Sequence, residues 1–301
     1  MQPMQLTYYL LDNVIMITKK KILPYLLVSP YIIHFIMFVA FPVIFSIVLT
    51  FNSWNIISPM KFIGLSNYTR LFHDQIFLKS LINTLYFLAI HIPLQIIIAL
   101  FLAEILNQNI KFRGFFRGAF FMPVIVSGVV VTILWQQLYG YDTGLINRLL
   151  TFVGIGKVGW LQDPSVAMPS IAIMATWKNL GLYVVLFLVG LQTVPAHYYE
   201  AADLEGANRW QKFFKITLPM INPTIFMVFI LSTIGGFSLF IEPYIMTGGG
   251  PLNSTISAVL YIYKQGFFYY QMGYAATLGL FFALLIMGVV VMQKKFIERD
   301  V

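Results

Sequence analysis

Apolar residues come along this chain in long runs, not in the alternation of half-buried strands or the one-sided stripes of surface helices. A bilayer core takes about 20 apolar residues per helix. Six runs reach that length: Ile22 to Leu49, Leu81 to Leu106, Ala119 to Leu138, Ala167 to Leu191, Thr224 to Met246 and Met272 to Met292. Lipid offers the backbone no hydrogen-bond partner, so each run is expected to be a helix, and the sequence lacks the short alternating strands of a barrel. The predicted fold is all-α and integral to the membrane, with six transmembrane helices. Pro30, Pro42, Pro93, Pro123, Gly181, Gly235 and Gly236 fall inside the runs, where packing in lipid tolerates and uses such residues.

Composition supports this picture. Of 301 residues, 59% are hydrophobic and 10% charged, against about 25% charged in a soluble domain. The net charge of +8 could suggest nucleic acid, but the charges sit at the ends of apolar runs and form no polar face. With no Cys, disulfides, thiolate metal sites and a Cys nucleophile are excluded. Placing the N-terminus inside puts twelve Lys and Arg in inner segments (19–21, 111–117, 209–215, 294–299) and six in outer ones. The positive-inside rule therefore predicts an N-in, C-in chain. Residues 1–21 form a cytoplasmic N-terminal segment; "LTYYLLDNVIMIT" is too short to span, and it lacks the basic start and cleavage site of a signal peptide. The transmembrane domain covers 22–293 and a cytoplasmic tail covers 294–301. The outer loop 139–166 is Gly-rich and aromatic, too small to be a domain of its own.

One charged passage interrupts the apolar pattern: "EAADLEGANRWQKFFKITLP", residues 200–219, within an inner loop at 192–222. Pro195 suits a first helical turn, so a short helix is predicted over 195–204, with Gly206 as a left-handed stop. A second helix should begin near Asn208, placing Trp210, Phe213, Phe214 and Thr217 on one face. Pro219 closes the unit. Periodicity alone leaves two readings: a docking unit, or a helix pair lying on lipid headgroups.

The order of residues goes further. Glu200-Ala201-Ala202, three residues, Gly206-Ala207, then Ile216 and Leu218-Pro219 resembles the "EAA" motif of binding-protein-dependent ABC importer permeases, with Glu205 where that family often has Asp. "FIGLSNYTRLF" (62–72), "SLINTLYF" (80–87), "GLQTVPAHYYEAA" (190–202), "TGGGP" (247–251) and "MGYAAT" (272–277) are similar to carbohydrate-importer permeases of the maltose or glycerol-phosphate type, and "GLSNY" to the first of their two permease subunits. The resemblance implies the type I ABC importer permease fold in a bacterial plasma membrane. It also implies a heterodimer with a second permease, two ATPase subunits that bind ATP and Mg, and an extracytoplasmic solute-binding protein delivering a sugar or oligosaccharide. The chain itself should be no enzyme. It has no phosphate-binding G-x-x-x-x-G-K-[ST] loop, "GIGK" at 154–157 being a fragment. By the motif, Glu200 would be the main polar contact with the ATPase, Ala201 and Ala202 would allow close approach, Gly206 would set the bend, and Leu218-Pro219 would complete the unit.

Ionisable residues within spans are costly and point to function. Lys178 and Glu242 qualify. In the family the fourth and fifth spans line the sugar path, which implies Trp177, Asn179, Phe237 and Phe240 as lining residues, with Tyr183 and Ser238 beside them. Lys178 has two readings: a structural pair with Glu242 or a partner carbonyl, or a counter-charge for an acidic oligosaccharide or sugar phosphate. Glu104, ending the second span, reads as a cap or interface acid. Two other functions stay open: the same architecture carrying a non-sugar solute, and a secondary transporter or channel acting alone. The latter would show inverted repeats with broken helices or a relay of acids, and the sequence displays neither pattern.

Overall fold

The computed structural model describes residues 24–108 and 110–297. The expectations for segment 1–21 and for the last residues of the tail concern positions outside this range. The first span is α1, Pro24–Thr50. It widens into a π turn at Ile36–Ala40, just ahead of Pro42. Pro42 has no N–H to give the carbonyl one turn back, and the backbone there relaxes into the wider turn. Nearly every side chain of α1 is exposed in the isolated chain, Tyr25, Phe38 and Ile44 among them.

A two-residue β-hairpin follows, β1 (Asn52–Ser53) and β2 (Lys61–Phe62), antiparallel with Asn52 opposite Phe62. After α2 (Ser66–His73) comes α3 (Gln75–Asn107), the longest helix among the described residues. It starts ahead of the apolar run because the Asp74 carboxylate accepts the N–H groups of Ile76 and Phe77, both at 3.0 Å, and caps it.

The third span departs from expectation. It is two helices, α4 (Arg113–Ile125) and α5 (Gly128–Leu138), meeting at 98°. Val126 and Ser127 take extended backbone angles (ψ 145° and 127°), which end one hydrogen-bond ladder before Gly128 starts the next. After α6 (Leu145–Phe152) the fourth span is α7 (Ala167–Gln192). Then come α8 (Ala196–Leu204) and α9 (Arg209–Lys212), which runs on through a π turn at Phe213–Thr217 to Leu218–Met220.

The fifth span is also interrupted. α10 (Asn222–Phe237) stops, Ser238 to Phe240 leave helical geometry, and α11 (Ile241–Met246) resumes. α12 (Ala258–Tyr263) and α13 (Met272–Ile297) are the last elements among the described residues. Among the described residues five segments are long and apolar enough to cross a bilayer, and the bent α4–α5 pair makes a sixth if its two helices are counted as one span. Broken helices, a pattern the sequence does not display, are present in two of the apolar segments.

α3 and α7 run side by side in the same direction and form the spine, packing Phe87 and Ile92 with Met168 to Ala175 at one level and Ala99 and Ala103 with Phe187 and Leu191 at the other. Gly181 lets α4 lie directly on α7; a Cβ there would overlap the Phe120 carbonyl.

Candidate functional site

The charged loop folds as two short helices joined by a tight turn. Pro195 stands one residue ahead of α8, in extended conformation, rather than inside its first turn. Gly206 ends the helix at φ +77°, a left-handed conformation that a residue with a Cβ adopts only at a cost. Its N–H reaches Asp203 O at 3.1 Å, and the Ala207 N–H reaches Ala202 O at 2.9 Å, satisfying the last carbonyls. Asn208 then opens α9 with a reciprocal cap. Its side chain accepts the Gln211 N–H at 2.9 Å, while Gln211 Oε1 accepts the Asn208 N–H at 2.8 Å. The two helices are tied together by Lys212 Nζ on Asp203 Oδ1 (2.6 Å) and by the Tyr199 and Thr217 hydroxyls (2.8 Å).

Within this unit Glu200 and Ala201 are exposed and Ala202 is buried. Leu218 packs on the bundle core, and Pro219 stays exposed next to it. The stripe expected on one face divides. Phe213 and Thr217 turn toward the bundle, whereas Trp210 and Phe214 stack on each other at 6.1 Å and face outward. The π turn holds more residues than an α turn and shifts the register between the two pairs. The result is an apolar tip, with Leu204 92% and Trp210 72% exposed. Glu104 at the end of α3 lies 4.0 Å from Arg209, so it faces this loop.

Inside the bundle, Lys178 Nζ donates to Glu242 Oε1 at 2.5 Å, and both side chains are largely buried. A lone charge at that depth would be expensive; paired, each offsets the other. The pair joins α7 to α11, and the elbow of α4 and α5 closes over it: a Cβ on Gly128 would sit 3.4 Å from Lys178 Nζ. Trp177 is half-exposed beside Trp135, ring centres 5.4 Å apart. The Asn179 amide turns back on the Ala175 carbonyl at 3.0 Å. Ser238 is exposed, its hydroxyl on the Ile234 carbonyl at 3.2 Å.

The remaining predicted residues lie elsewhere. Phe237 is enclosed in the core, edge-on to Phe282, and Tyr183 is buried as well. Phe240 joins a separate aromatic group with Tyr244 and Tyr263, at 5.3 and 5.1 Å. Sequence reasoning missed His91, whose Nδ1 lies 2.8 Å from the Thr176 hydroxyl in the same buried layer. It also missed Gln95, one turn along α3, whose amide atoms are buried without a partner among the described residues. Two polar residues four apart in an apolar run were the available signal.

The opposite end of the bundle is organised by Asp74. While Oδ1 caps α3, Oδ2 accepts the hydroxyls of Tyr261 (2.7 Å) and Tyr274 (2.6 Å). Burial pushes this carboxyl up, but the two tyrosines and the two N–H groups outweigh it and hold it below the usual range. Asn147 knits the loop after α5, bonding Tyr141 O, Val158 O, the Val158 N–H and the Trp160 indole N–H.

Residues 95–299 match the family described as binding-protein-dependent transport system inner membrane component. A probable ABC transporter permease protein, YurN, of Bacillus subtilis (strain 168) is 36% identical over 288 residues, 94% of this chain and 98% of that protein. The arabinooligosaccharides transport system permease protein AraP of the same organism is 35% identical, across 92% of this chain and 88% of its own. Among solved structures, a bacterial ABC transporter involved in the import of the acidic polysaccharide alginate contains a chain similar at TM-score 0.79 and 25% identity, over 94% of this chain and 99% of that one. With a family match across two thirds of its length and relatives that run alongside nearly all of it, this chain belongs to the binding-protein-dependent transport system inner membrane components, the multi-pass permeases of ABC transporters.

Proposed function

We propose that this chain is one of two permease subunits in an ATP-driven importer of sugars or oligosaccharides, crossing the bacterial plasma membrane six times with both ends inside. It would form half of the path, pair with a second permease, receive solute from an extracytoplasmic binding protein and couple to one of two ATPase subunits. ATP and Mg would be held by those ATPases; this chain supplies shape and motion. The names of the relatives, one an arabinooligosaccharide permease and one an alginate importer, support a saccharide substrate.

The observation that carries the reading is the apolar tip of Leu204, Trp210 and Phe214 on an internally hydrogen-bonded helix–turn–helix, with Glu200 and Ala201 also exposed. α7 leads into it through three residues, Thr193 to Pro195. Lys178 lies fourteen residues before the end of that helix, which is roughly 21 Å along a rigid rod. A displacement of the loop by a closing ATPase pair would thus be felt at the Lys178–Glu242 pair. Two states of the bundle, biased by ATP at one end and loaded binding protein at the other, are enough to drive alternating access. Because Glu242 neutralises Lys178, an acidic oligosaccharide using Lys178 would have to displace Glu242 from it.

The test is to isolate the complex through a tag on this chain, as wild type, Glu200→Ala and Gly206→Pro. Wild type should bring down a second permease and an ATPase. Gly206→Pro, which cannot adopt φ +77°, should lose the ATPase or its stimulation. A chain that purifies alone, with transport indifferent to both changes, would leave only a helix pair on the lipid surface.

A further inference from the structure

We propose that a polar cavity at the Asp74 end of the bundle binds a carboxylate-bearing pyranose, the acidic end of an oligosaccharide. The cavity has a volume of about 410 Å³, lined by Trp54, Asn55, Ser58, Arg70, Tyr270 and Gln271 among others. That lies within the range of roughly 300–1,000 Å³ usual for small-molecule sites. The proposal rests on the saccharide reading above and names where the acidic form of such a substrate would be held.

Three features of this lining, whose Asn55, Ser58, Arg70 and Tyr270 are exposed, argue for a ligand. First, Arg70 is fixed in orientation but lacks an acid. Its guanidinium lies 3.8 Å over the Tyr274 ring, and Nη1 donates to Gln271 Oε1 at 2.6 Å. No carboxylate lies within 4 Å of it among the described residues. Tyr274 stands between Arg70 and Asp74, with its ring under the cation and its hydroxyl on the carboxylate. The remaining N–H groups form the planar fork that matches a carboxylate.

Second, Trp54, Tyr269 and Tyr270 bring aromatic surface to the cavity. Trp54 is half-buried, braced edge-on by Phe45 at 5.9 Å, and its carbonyl accepts the Met272 N–H at 2.9 Å. Asn55 Oδ1 accepts from Ser58 N and Oγ, which leaves the Asn55 NH₂ without a protein acceptor among the described residues. Third, Tyr270 lines the cavity at φ +54°, a left-handed conformation unfavourable for a bulky side chain. Strain of this kind gathers at ligand clamps. A hydroxyl-rich ring carrying one carboxylate uses all three: fork, amide and aromatic face.

The experiment uses the assembled transporter in nanodiscs without its binding protein, titrated with galacturonate and digalacturonate, and with galactose as the neutral control. Binding is read by saturation-transfer NMR and by the fluorescence lost in Trp54→Phe. The acidic sugars should bind at least tenfold more tightly than galactose, and Arg70→Gln should abolish that difference. Tyr270→Gly relieves the backbone strain, so it should fold; it should weaken acidic and neutral sugars alike. Equal affinity for galactose, unchanged uronate affinity in Arg70→Gln, or no saturable binding to wild type would overturn the proposal. So would an Arg70→Gln variant whose ATPase loses stimulation by loaded binding protein while uronate affinity stays put, because the cavity would then be a protein contact. Transport assayed in parallel separates the two readings. Import of neutral sugars alone, with Arg70-dependent uronate binding intact, would sink the acidic-substrate reading and spare the site. Import of acidic oligosaccharides, with affinity indifferent to Arg70, would do the reverse.

Discussion

The bonds that hold the charged loop close over short stretches of chain: Asn208 with Gln211, Asp203 with Lys212, and Tyr199 with Thr217, 18 residues apart at most. At the other end the bonds run across the whole chain. Asp74 meets Tyr261 and Tyr274, 187 and 200 residues away; Lys79 meets the Leu252 carbonyl; Arg70 meets Gln271. A unit closed on itself can shift as a body without breaking its own bonds. An end stitched from α2, α3, α12 and α13 can move only if those elements move together. One end is thus suited to shift as a body, the other to hold its shape.

The largest effect is expected between the two ends. Lys178→Met strands Glu242 in the bundle, at a cost of about 3–5 kcal/mol. Thermal unfolding in detergent should show it, and Lys178→Met with Glu242→Met should recover most of the loss. Next comes Asp74→Ala, which removes a helix cap and orphans two tyrosine hydroxyls, for about 2–3 kcal/mol. Hydrogen exchange should quicken around 66–80 and 258–275 and leave 196–220 unchanged. Equal loosening at both ends would break the comparison.

Asp74 also sets a pH dependence. Its carboxyl is held below the ordinary value, so its stabilisation is present above about pH 4 and is lost as pH falls through the lower native value. Acid unfolding of Asp74→Ala should lack that limb. Smaller effects belong to the loop. Gly206→Ala forces a Cβ into φ +77°, at about 1–2 kcal/mol. Asn208→Ala loses its cap for about 1 kcal/mol. Both should quicken exchange only within 196–220.

The same contrast explains what could be read from the sequence. The apolar runs, the stop at Gly206 and the start at Asn208 are local signals, and they mark structure at those positions. Lys178 and Glu242, 64 residues apart, could be paired because few ionisable residues fall inside the spans. The faces of the helices were less legible. Lipid is as apolar as the core, so hydropathy does not say which side of α10 turns inward; Phe237, which the resemblance implies as a lining residue, is enclosed against Phe282 within this chain. The breaks at 126–127 and 238–240 lie next to the Lys178–Glu242 pair, a neighbourhood the local sequence does not reveal. Nothing near Asp74 in the sequence marks it, because its tyrosines come from the far end of the chain. Asn147 bonds within 13 residues, yet no repeating pattern distinguishes it from other loop amides.

The central claim is that the apolar tip of the charged loop docks on an ATPase subunit. The most direct measurement is binding-protein-stimulated ATP hydrolysis by the reconstituted complex carrying Leu204→Asp and Trp210→Asp. Both residues are exposed, so the fold should survive, with a melting temperature near wild type. Stimulation should fall at least tenfold, and the ATPase should dissociate during purification. Full stimulation with the ATPase retained would contradict the account and return the loop to the membrane surface.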